Sequence, residues 1–257
     1  MLPDVKFLGL YLYDWAITLG VVAALIIFRI YADKKHIFAR LQNFCYLSGI
    51  ASVILGYGCA VLFQAVYDFV SSGEFHLNSS TGATFYGGLI GGASVFLLLY
   101  FTLGRKLCGK EIFENFSSVC GCASCGIVFA HAIGRIGCLM AGCCYGMETN
   151  SIFGMYLPAI GKTVIPTQLY ESVFLFLLFG ILTTVFFKTK LNCLYIYMIA
   201  YGVFRFLIEF LRADDRGAFI PSLSPSQAWS IILFLAGIGL LVWDALRYRQ
   251  KFKDEPK

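Results

Sequence analysis

Seven apolar runs follow one another along the chain, and each comes close to the ~20 residues that a helix needs to cross a bilayer. Hydrophobic residues make up 59% of the 257 positions and charged residues only 14%, a composition that excludes an ordinary soluble protein. We therefore predict an all-α, polytopic integral membrane protein with a single transmembrane domain over residues 1–257. The predicted spans are Leu8–Phe28, Phe44–Val66, Tyr86–Leu103, Val119–Ile136, Leu169–Phe187, Leu191–Leu211 and Ala228–Trp243.

The positive charges of the loops predict the orientation of these spans. Lys and Arg accumulate in cytoplasmic loops, and most of the 20 basic residues lie in alternate connections and in the C-terminal tail. This pattern puts the N-terminus outside and the C-terminus in the cytoplasm, with a small extracytoplasmic segment at 67–84 and a re-entrant or interfacial motif at 134–168. We interpret the net charge of +5 as topology information and expect no nucleic-acid partner.

One stretch, from His131 to Gly146, puts polar chemistry between apolar segments. It contains a histidine, an arginine, three cysteines and four glycines. An ionisable residue at membrane depth is costly and indicates a functional site, while glycine lets the backbone leave the helix and approach a ligand. The alternative is a helix end with small packing residues and a snorkelling arginine. That alternative explains Arg135 but not His131, one turn earlier.

A second polar group lies near the outer end of the sixth span. Arg205, Glu209 and Arg212 are spaced i, i+4 and i+7 and would share one helical face. A carboxylate between two guanidiniums can pair with one and leave the other for an anion, and the arginine fork suits phosphate. The alternative is a charge stripe that only ties helices together.

Two other motifs have a structural explanation. Glu171, in Pro166-Thr-Gln-Leu-Tyr-Glu171, lies near the start of a helix, where the helix dipole and capping favour a carboxylate. Gly87 and Gly88 form a small-residue entry to the third span. Helix packing is a better explanation for them than ligand contact.

The ten cysteines raise the question of a metal site. If the fourth span runs straight through the membrane, its first three cysteines lie on the side opposite to Cys138, Cys143 and Cys144, so the two groups cannot form one site. We therefore expect no metal and no cofactor. Cys138, Cys143 and Cys144 are either partners in a disulfide or free thiols in the functional site.

Four motifs, taken together, resemble the prolipoprotein diacylglyceryl transferase family. In chain order they are Tyr86-Gly-Gly-Leu-Ile-Gly91, Gly134-Arg-Ile-Gly137, Pro166-Thr-Gln-Leu-Tyr-Glu171 and Tyr201-Gly-Val-Phe-Arg-Phe-Leu-Ile-Glu209. The resemblance implies transfer of the diacylglyceryl group of phosphatidylglycerol to the lipobox cysteine of a preprolipoprotein, with release of glycerol 1-phosphate. It also implies a multi-pass protein of the bacterial plasma (inner) membrane whose partners are phosphatidylglycerol, the preprolipoprotein signal peptide and membrane lipids.

The resemblance also implies roles for particular residues. Arg135 matches the arginine of the family signature, and Arg205 and Glu209 match its essential Arg and Glu. Tyr13 matches a tyrosine of the first helix. The signature's two amides and its carboxylate are missing here, and two of those positions hold Cys138 and Cys143. The predicted substrate-binding residues are Arg135, Arg212, Tyr13, Gly87, Gly88, Gly137, Cys138, Cys143 and Gly146.

The proton acceptor is the main departure from the family. The family's His-Gly-Gly reads Tyr86-Gly-Gly, and a tyrosine with a pKa near ~10 is a poor base at neutral pH. His131 lies where the family commonly has glutamine, and we hypothesise that it is the base; the alternative is a hydrogen bond between helices. The predicted catalytic residues are His131, Tyr86, Arg205 and Glu209. A transferase with another acceptor, a non-catalytic phospholipid-binding protein and, less favoured, a thiol–disulfide protein remain open.

Overall fold

The computed structural model describes residues 5–73, 75, 77–78, 81–212 and 223–253. Within these ranges, seven helices are long and apolar enough to cross a membrane, which confirms the predicted all-α polytopic fold. The orientation of the termini remains a prediction. The seven spans are Leu12–Lys34, Ala39–Val70, Gly87–Cys108, Glu111–Ala141, Thr167–Lys188, Cys193–Leu211 and Pro225–Arg247.

The helices extend beyond the predicted apolar runs at most of their ends. A π-helical turn, Tyr100–Gly104, joins α3 (Phe85–Leu99) to α4 (Arg105–Cys108). A 3-10 turn, Glu209–Leu211, follows α7 (Cys193–Ile208). The helices are α1 (Leu12–Lys34), α2 (Ala39–Ser72), α3 (Phe85–Leu99), α4 (Arg105–Cys108), α5 (Glu111–Ala141), α6 (Thr167–Lys188), α7 (Cys193–Ile208) and α8 (Pro225–Lys253).

Two short antiparallel hairpins accompany the helices. In the first, β1 (Lys6–Phe7) pairs with β2 (Leu10–Tyr11) directly before α1. In the second, β3 (Met155–Leu157) pairs with β4 (Lys162–Val164), with Met155 opposite Val164. The second hairpin belongs to the connection between α5 and α6.

The chain divides into two compact units, one formed by residues 1–31 and 119–257 and the other by residues 32–118. In the smaller unit, α2 and α3 pack through small residues. A Cβ added at Gly87 would lie 2.6 Å from Phe63 Cβ, a distance that packed atoms do not tolerate. The sequence-based preference for packing at Gly87 therefore agrees with the structure.

The larger unit contains most of the predicted site residues. Here α1 approaches α5 closely, because a Cβ added at Gly126 would lie 2.7 Å from the Ala24 carbonyl oxygen. On the next helix, Ser172 Oγ donates a 2.9 Å hydrogen bond to Ala132 O and fixes α6 against α5. Gly202 of α7 similarly approaches α8, with 3.0 Å from its would-be Cβ to Ser230 O.

The backbone leaves the helical conformation later than the glycines of the sequence suggest. Helix α5 continues through Gly134 and Gly137 and ends at Ala141. The reversal follows at Gly142 (φ 69°), with Cys144 (φ 62°) also in the left-handed region. This reversal returns the chain toward the end of α5, because left-handed residues turn the backbone back on a helix terminus.

Candidate functional site

Glu171 is the centre of a buried polar cluster within the larger unit. Its side chain is 1% exposed, and its Oε1 lies 3.0 Å from Arg135 Nε. The Tyr201 hydroxyl donates a 2.7 Å hydrogen bond to the same oxygen, and His131 Nε2 lies 3.7 Å away. The structure therefore assigns Glu171 an ion pair with Arg135, rather than the capping role that its position in the sequence suggests.

The cluster follows from the spacing of residues on three helices. His131 and Arg135 are four residues apart on α5 and share a face, as predicted. Glu171 lies one turn into α6, and Tyr201 is near the middle of α7. Tyr201 belongs to a predicted motif but has no predicted role of its own, because a tyrosine in an apolar helix is ordinary core material.

His131 has protein groups near both ring nitrogens. Its Nδ1 lies 3.2 Å from the Tyr197 hydroxyl and its Nε2 lies 3.5 Å from the Tyr201 hydroxyl. The imidazole also meets the Tyr201 ring edge-on, with 4.9 Å between the ring centroids. These contacts favour the alternative of a histidine that links helices, whereas the base role stays a prediction.

Glu209 is the centre of a second buried cluster, where α7 ends. Its Oε2 lies 2.8 Å from Arg205 Nη2 and 3.9 Å from Arg212 Nε, and its Oε1 accepts a 2.9 Å hydrogen bond from Ser224 Oγ. The predicted carboxylate between two guanidiniums is confirmed. Its geometry differs from the prediction, because Arg212 follows the 3-10 turn with extended backbone and does not continue the helix.

Arg205 retains hydrogen-bonding capacity in this cluster. Its Nη2 donates to Ser226 Oγ at 3.0 Å, and the residue is 6% exposed. Among the described residues, its buried Nη1 has no hydrogen-bond partner. A buried guanidinium N–H without a partner is costly and is satisfied well by a phosphate oxygen.

Three cysteine thiols form a third cluster, which we call the thiol cluster: Cys138, Cys143 and Cys144. Their sulfur atoms all lie within 4.8 Å of one another, and all ten cysteines, each within a described range, are present as thiols. The backbone N–H of Cys143 donates to Cys138 O at 3.1 Å, so the reversal after α5 brings the two later thiols to the first.

The loop that carries the thiol cluster is fixed to the first turn of α6. Gln168 Nε2 donates to Cys143 O at 2.8 Å, and Thr167 Oγ1 donates to Cys144 O at 2.7 Å. Both donors are about 1% exposed. The family-like motif at the start of α6 thus positions the cysteine loop, a contact that sequence spacing alone does not reveal.

The thiol cluster is bordered by arginines of both charged clusters. Cys138 follows Arg135 by three residues on α5 and therefore lies on a similar face. The pKa of the Cys144 thiol lies well below its usual range, because hydrogen bonds from the Cys138 and Cys143 thiols favour the thiolate and Arg212 adds a further hydrogen bond and a positive charge. The three clusters thus form one polar region of the larger unit.

The other predicted substrate-binding residues have different positions. Tyr13 is 39% exposed, and Gly137 packs against α1, with 2.8 Å between its would-be Cβ and Ala16 Cβ. Gly146 forms a β-bridge with Arg212, and its N–H donates to Ile165 O at 2.8 Å. Close approach of a neighbouring segment explains why glycine occupies positions 137 and 146. Contact of Tyr13, Gly137 and Gly146 with the substrate stays a prediction.

The remaining predicted residues belong to the smaller unit. Gly87 and Gly88 lie in the first turns of α3, next to the second helix. Tyr86 also lies in α3, but its side chain is outside the described part of the structure. Their role in binding or catalysis therefore stays a prediction.

Comparison with known proteins identifies similar sequences. The family profile described as prolipoprotein diacylglyceryl transferase matches residues 2–243. The chain is 32% identical to phosphatidylglycerol–prolipoprotein diacylglyceryl transferase 2 of Clostridium perfringens, over 98% of this chain and 97% of the relative. It is also 32% identical to the phosphatidylglycerol–prolipoprotein diacylglyceryl transferase of Clostridium tetani, over 95% of this chain and 96% of the relative.

Proposed function

The chain belongs to the prolipoprotein diacylglyceryl transferase family, and we propose that it performs the reaction for which its relatives are named. The diacylglyceryl group of phosphatidylglycerol passes to the lipobox cysteine of a preprolipoprotein, and glycerol 1-phosphate is released. The protein acts as a multi-pass protein of the bacterial plasma membrane. Its substrates reach it as a lipid of the bilayer and as a membrane-embedded signal peptide.

The observation that carries this proposal is the buried Nη1 of Arg205, which has no hydrogen-bond partner among the described residues. The substrate's phosphodiester is an anion with exposed oxygens, and it fits this donor. Glu209 Oε2 holds the same guanidinium through Nη2 at 2.8 Å, so the donor is oriented before the lipid binds. Preorganised donors of this kind stabilise charge that develops in a reaction.

We expect Arg135 to supply a second donor group for the substrate phosphate. A guanidinium has five N–H donors, and the contact with Glu171 at 3.0 Å uses Nε. Further donors of Arg135 therefore remain for the substrate. Because Glu171 is almost completely buried, its negative charge holds Arg135 in a low-dielectric setting where the attraction to a phosphate is strengthened.

The chemistry is displacement at a glyceryl carbon. The acceptor sulfur, as a thiolate, attacks the carbon that bears the phosphate, a C–S bond forms, and the C–O bond to phosphate breaks. The electron pair of the broken bond stays on the phosphate oxygen, and glycerol 1-phosphate leaves with one more negative charge than the phosphodiester. Arginine groups that hold this dianion stabilise the transition state more than the ground state.

The acceptor thiol must lose its proton before it attacks, because the thiolate is the nucleophile. His131 is the base that the sequence suggests, and its ring is oriented by Tyr197, Tyr201 and Glu171. A hydrogen-bonding role between helices satisfies the same contacts. Replacement of His131 by Gln distinguishes the two, because glutamine keeps hydrogen-bonding capacity but cannot accept the proton.

Transfer by the purified protein tests the proposal. The full chain in detergent is mixed with phosphatidylglycerol and a lipobox peptide, and the peptide mass is followed. We expect wild type and Arg247→Ala, an exposed arginine of α8, to add the diacylglyceryl mass, while Arg205→Ala does not. A folded wild type that binds phosphatidylglycerol but never modifies the peptide would contradict transfer and support the non-catalytic alternative.

A further inference from the structure

The thiol cluster is an arrangement that the proposed phosphate chemistry does not use. Three sulfur atoms within 4.8 Å of one another form, among the described residues, a group with the spacing of metal ligands. We propose that Cys138, Cys143 and Cys144 bind a zinc ion and that this ion takes the acceptor thiol of the substrate as its fourth ligand. The second part rests on the proposed function, whereas the first does not.

The geometry of the cluster is close to what zinc requires. With Zn–S bonds of about 2.3 Å in tetrahedral geometry, bound sulfur atoms lie about 3.8 Å apart. The thiols are at most 4.8 Å apart, so rotation of short side chains brings them into range. Hydrogen bonds from α6 hold the carbonyl groups of both loop cysteines.

The charges around the cluster favour such an ion. Three thiolates and a zinc ion together carry one negative charge, and a fourth thiolate adds another. Arg212 lies beside Cys144, and Arg135 is one helical turn before Cys138. Two guanidiniums therefore border the site, and they stabilise the thiolate ligands as cations do at other reactive cysteines.

The ligand count indicates a site open to substrate. Structural zinc sites have four protein ligands, whereas catalytic sites have three and give the fourth position to water or a substrate. The described residues supply three, and Cys143 is exposed. An incoming thiol can reach the ion without displacing a protein ligand.

Zinc at this position would solve the problem of deprotonation. A thiol that coordinates zinc loses its proton, which here passes to the solvent at the exposed side of the cluster. The zinc-bound sulfur then attacks the glyceryl carbon, the new C–S bond forms, and the phosphate leaves with the electron pair. The resulting thioether is uncharged, a poorer ligand than the thiolate, and it dissociates. No base at His131 is needed.

A zinc ion at the thiol cluster differs from the sequence-based expectation, which is that the protein binds no metal. That expectation came from the distance between the two groups of cysteines along the helix, which still keeps Cys120 away from the cluster. The left-handed reversal at Gly142 and Cys144, which allows three neighbouring thiols to converge, cannot be predicted from the spacing of the cysteines. A disulfide between two of the three is the competing outcome.

Metal binding is tested first, without reference to activity. The full chain is purified in detergent with a phosphine reductant, stripped with a chelator, and titrated with Co²⁺ and Zn²⁺. We expect one equivalent of metal, a sulfur-to-cobalt charge-transfer band and the visible bands of a tetrahedral ion. The Cys138→Ser/Cys143→Ser variant should lose these bands, whereas Cys120→Ser, which removes a thiol elsewhere on α5, should keep them.

The result that would overturn the metal site is a monodisperse, fully reduced wild type that gives no thiolate–cobalt band at any concentration of Co²⁺. A Cys138 disulfide that forms in the cell membrane and cannot be reduced without unfolding would overturn it equally. The cobalt spectrum and the disulfide are both measured on the wild-type protein, so neither result depends on whether a cysteine variant folds.

The catalytic part is tested by transfer to the lipobox peptide. We expect chelated protein to lose at least about tenfold in rate and to recover when Zn²⁺ is added back. If metal binds but the stripped protein transfers at the same rate, the substrate-ligand role is wrong. If the protein modifies no peptide in either state, the proposed function fails, while the cobalt spectrum still decides the metal site.

Discussion

Glu171 and Arg135, 36 positions apart in the sequence, lie 3.0 Å apart between Oε1 and Nε in the structure. The carboxylate belongs to the start of α6 and the guanidinium to the last turns of α5. Their contact connects two motifs of the family at one point. It also orients the arginine that we expect to bind the lipid phosphate.

Loss of this carboxylate should reduce both stability and activity. Removing one partner of a buried ion pair costs about 3–5 kcal/mol, so we expect Glu171→Gln to lower the melting temperature and to reduce transfer at least tenfold. Glu148→Gln is the matched control, because Glu148 is 62% exposed and pairs with Lys162 at the surface. Equal melting curves and rates for the two variants would contradict the role of Glu171.

Activity should fall even when Arg205 is replaced by lysine. A lysine keeps the charge but lacks the planar fork that contacts Glu209, Ser226 and the proposed phosphate together. We expect Arg205→Lys to raise the KM for phosphatidylglycerol and to lower kcat, with a combined loss of at least about 100-fold, or about 2.7 kcal/mol. Steady-state kinetics in detergent measure this, and a lysine variant with wild-type kcat/KM would refute phosphate recognition by the fork.

His131→Gln separates the two roles of the histidine. Removal of a general base typically costs about 100- to 10,000-fold in rate. We expect kcat to fall by less than about tenfold in zinc-loaded protein, because glutamine can still form a hydrogen bond with the tyrosines. The kcat and its dependence on pH are measured. A loss of 100-fold or more, with the metal still bound, would restore His131 as the base.

The approach of α1 to α5 should limit the size of residue 126. Overpacking of a tight contact costs typically about 1–3 kcal/mol, and a Cβ at Gly126 would lie 2.7 Å from Ala24 O. We therefore expect Gly126→Val to lower the melting temperature. Gly180→Val is the control, since nothing lies within 4 Å of a Cβ there. If the two variants have the same melting temperature, the close approach of α1 to α5 is wrong.

Much of the fold was predictable because the bilayer leaves few choices. Apolar length alone predicts seven spans, and each predicted run overlaps one observed helix. It did not give their ends, because polar helical turns extend beyond the hydrocarbon region: α2 begins at Ala39 and ends at Ser72, whereas the apolar run suggested Phe44–Val66. Orientation rests on loop charge and remains to be tested.

The charged residues of the site were also partly predictable, because the spans around them are apolar. Ionisable side chains stand out in an apolar helix, and the contact of Glu209 with Arg205 followed from helical spacing. For Glu171 the sequence predicts only a local role, because a carboxylate at a helix start interacts favourably with the helix dipole. Its partner is on another helix, and pairing between distant helices has no signature in one sequence. The convergence of the thiols was hidden in a similar way by the chain reversal after Ala141.

Complementation tests the central claim most directly. The chain is expressed in a bacterium whose only diacylglyceryl transferase is depleted, and lipoprotein maturation is followed by gel shift and by mass spectrometry of the lipobox cysteine. We expect wild type to restore the diacylglyceryl mass and growth, and Arg205→Ala to restore neither. A wild-type chain that is inserted in the membrane at normal levels and leaves the cysteine unmodified would contradict the account.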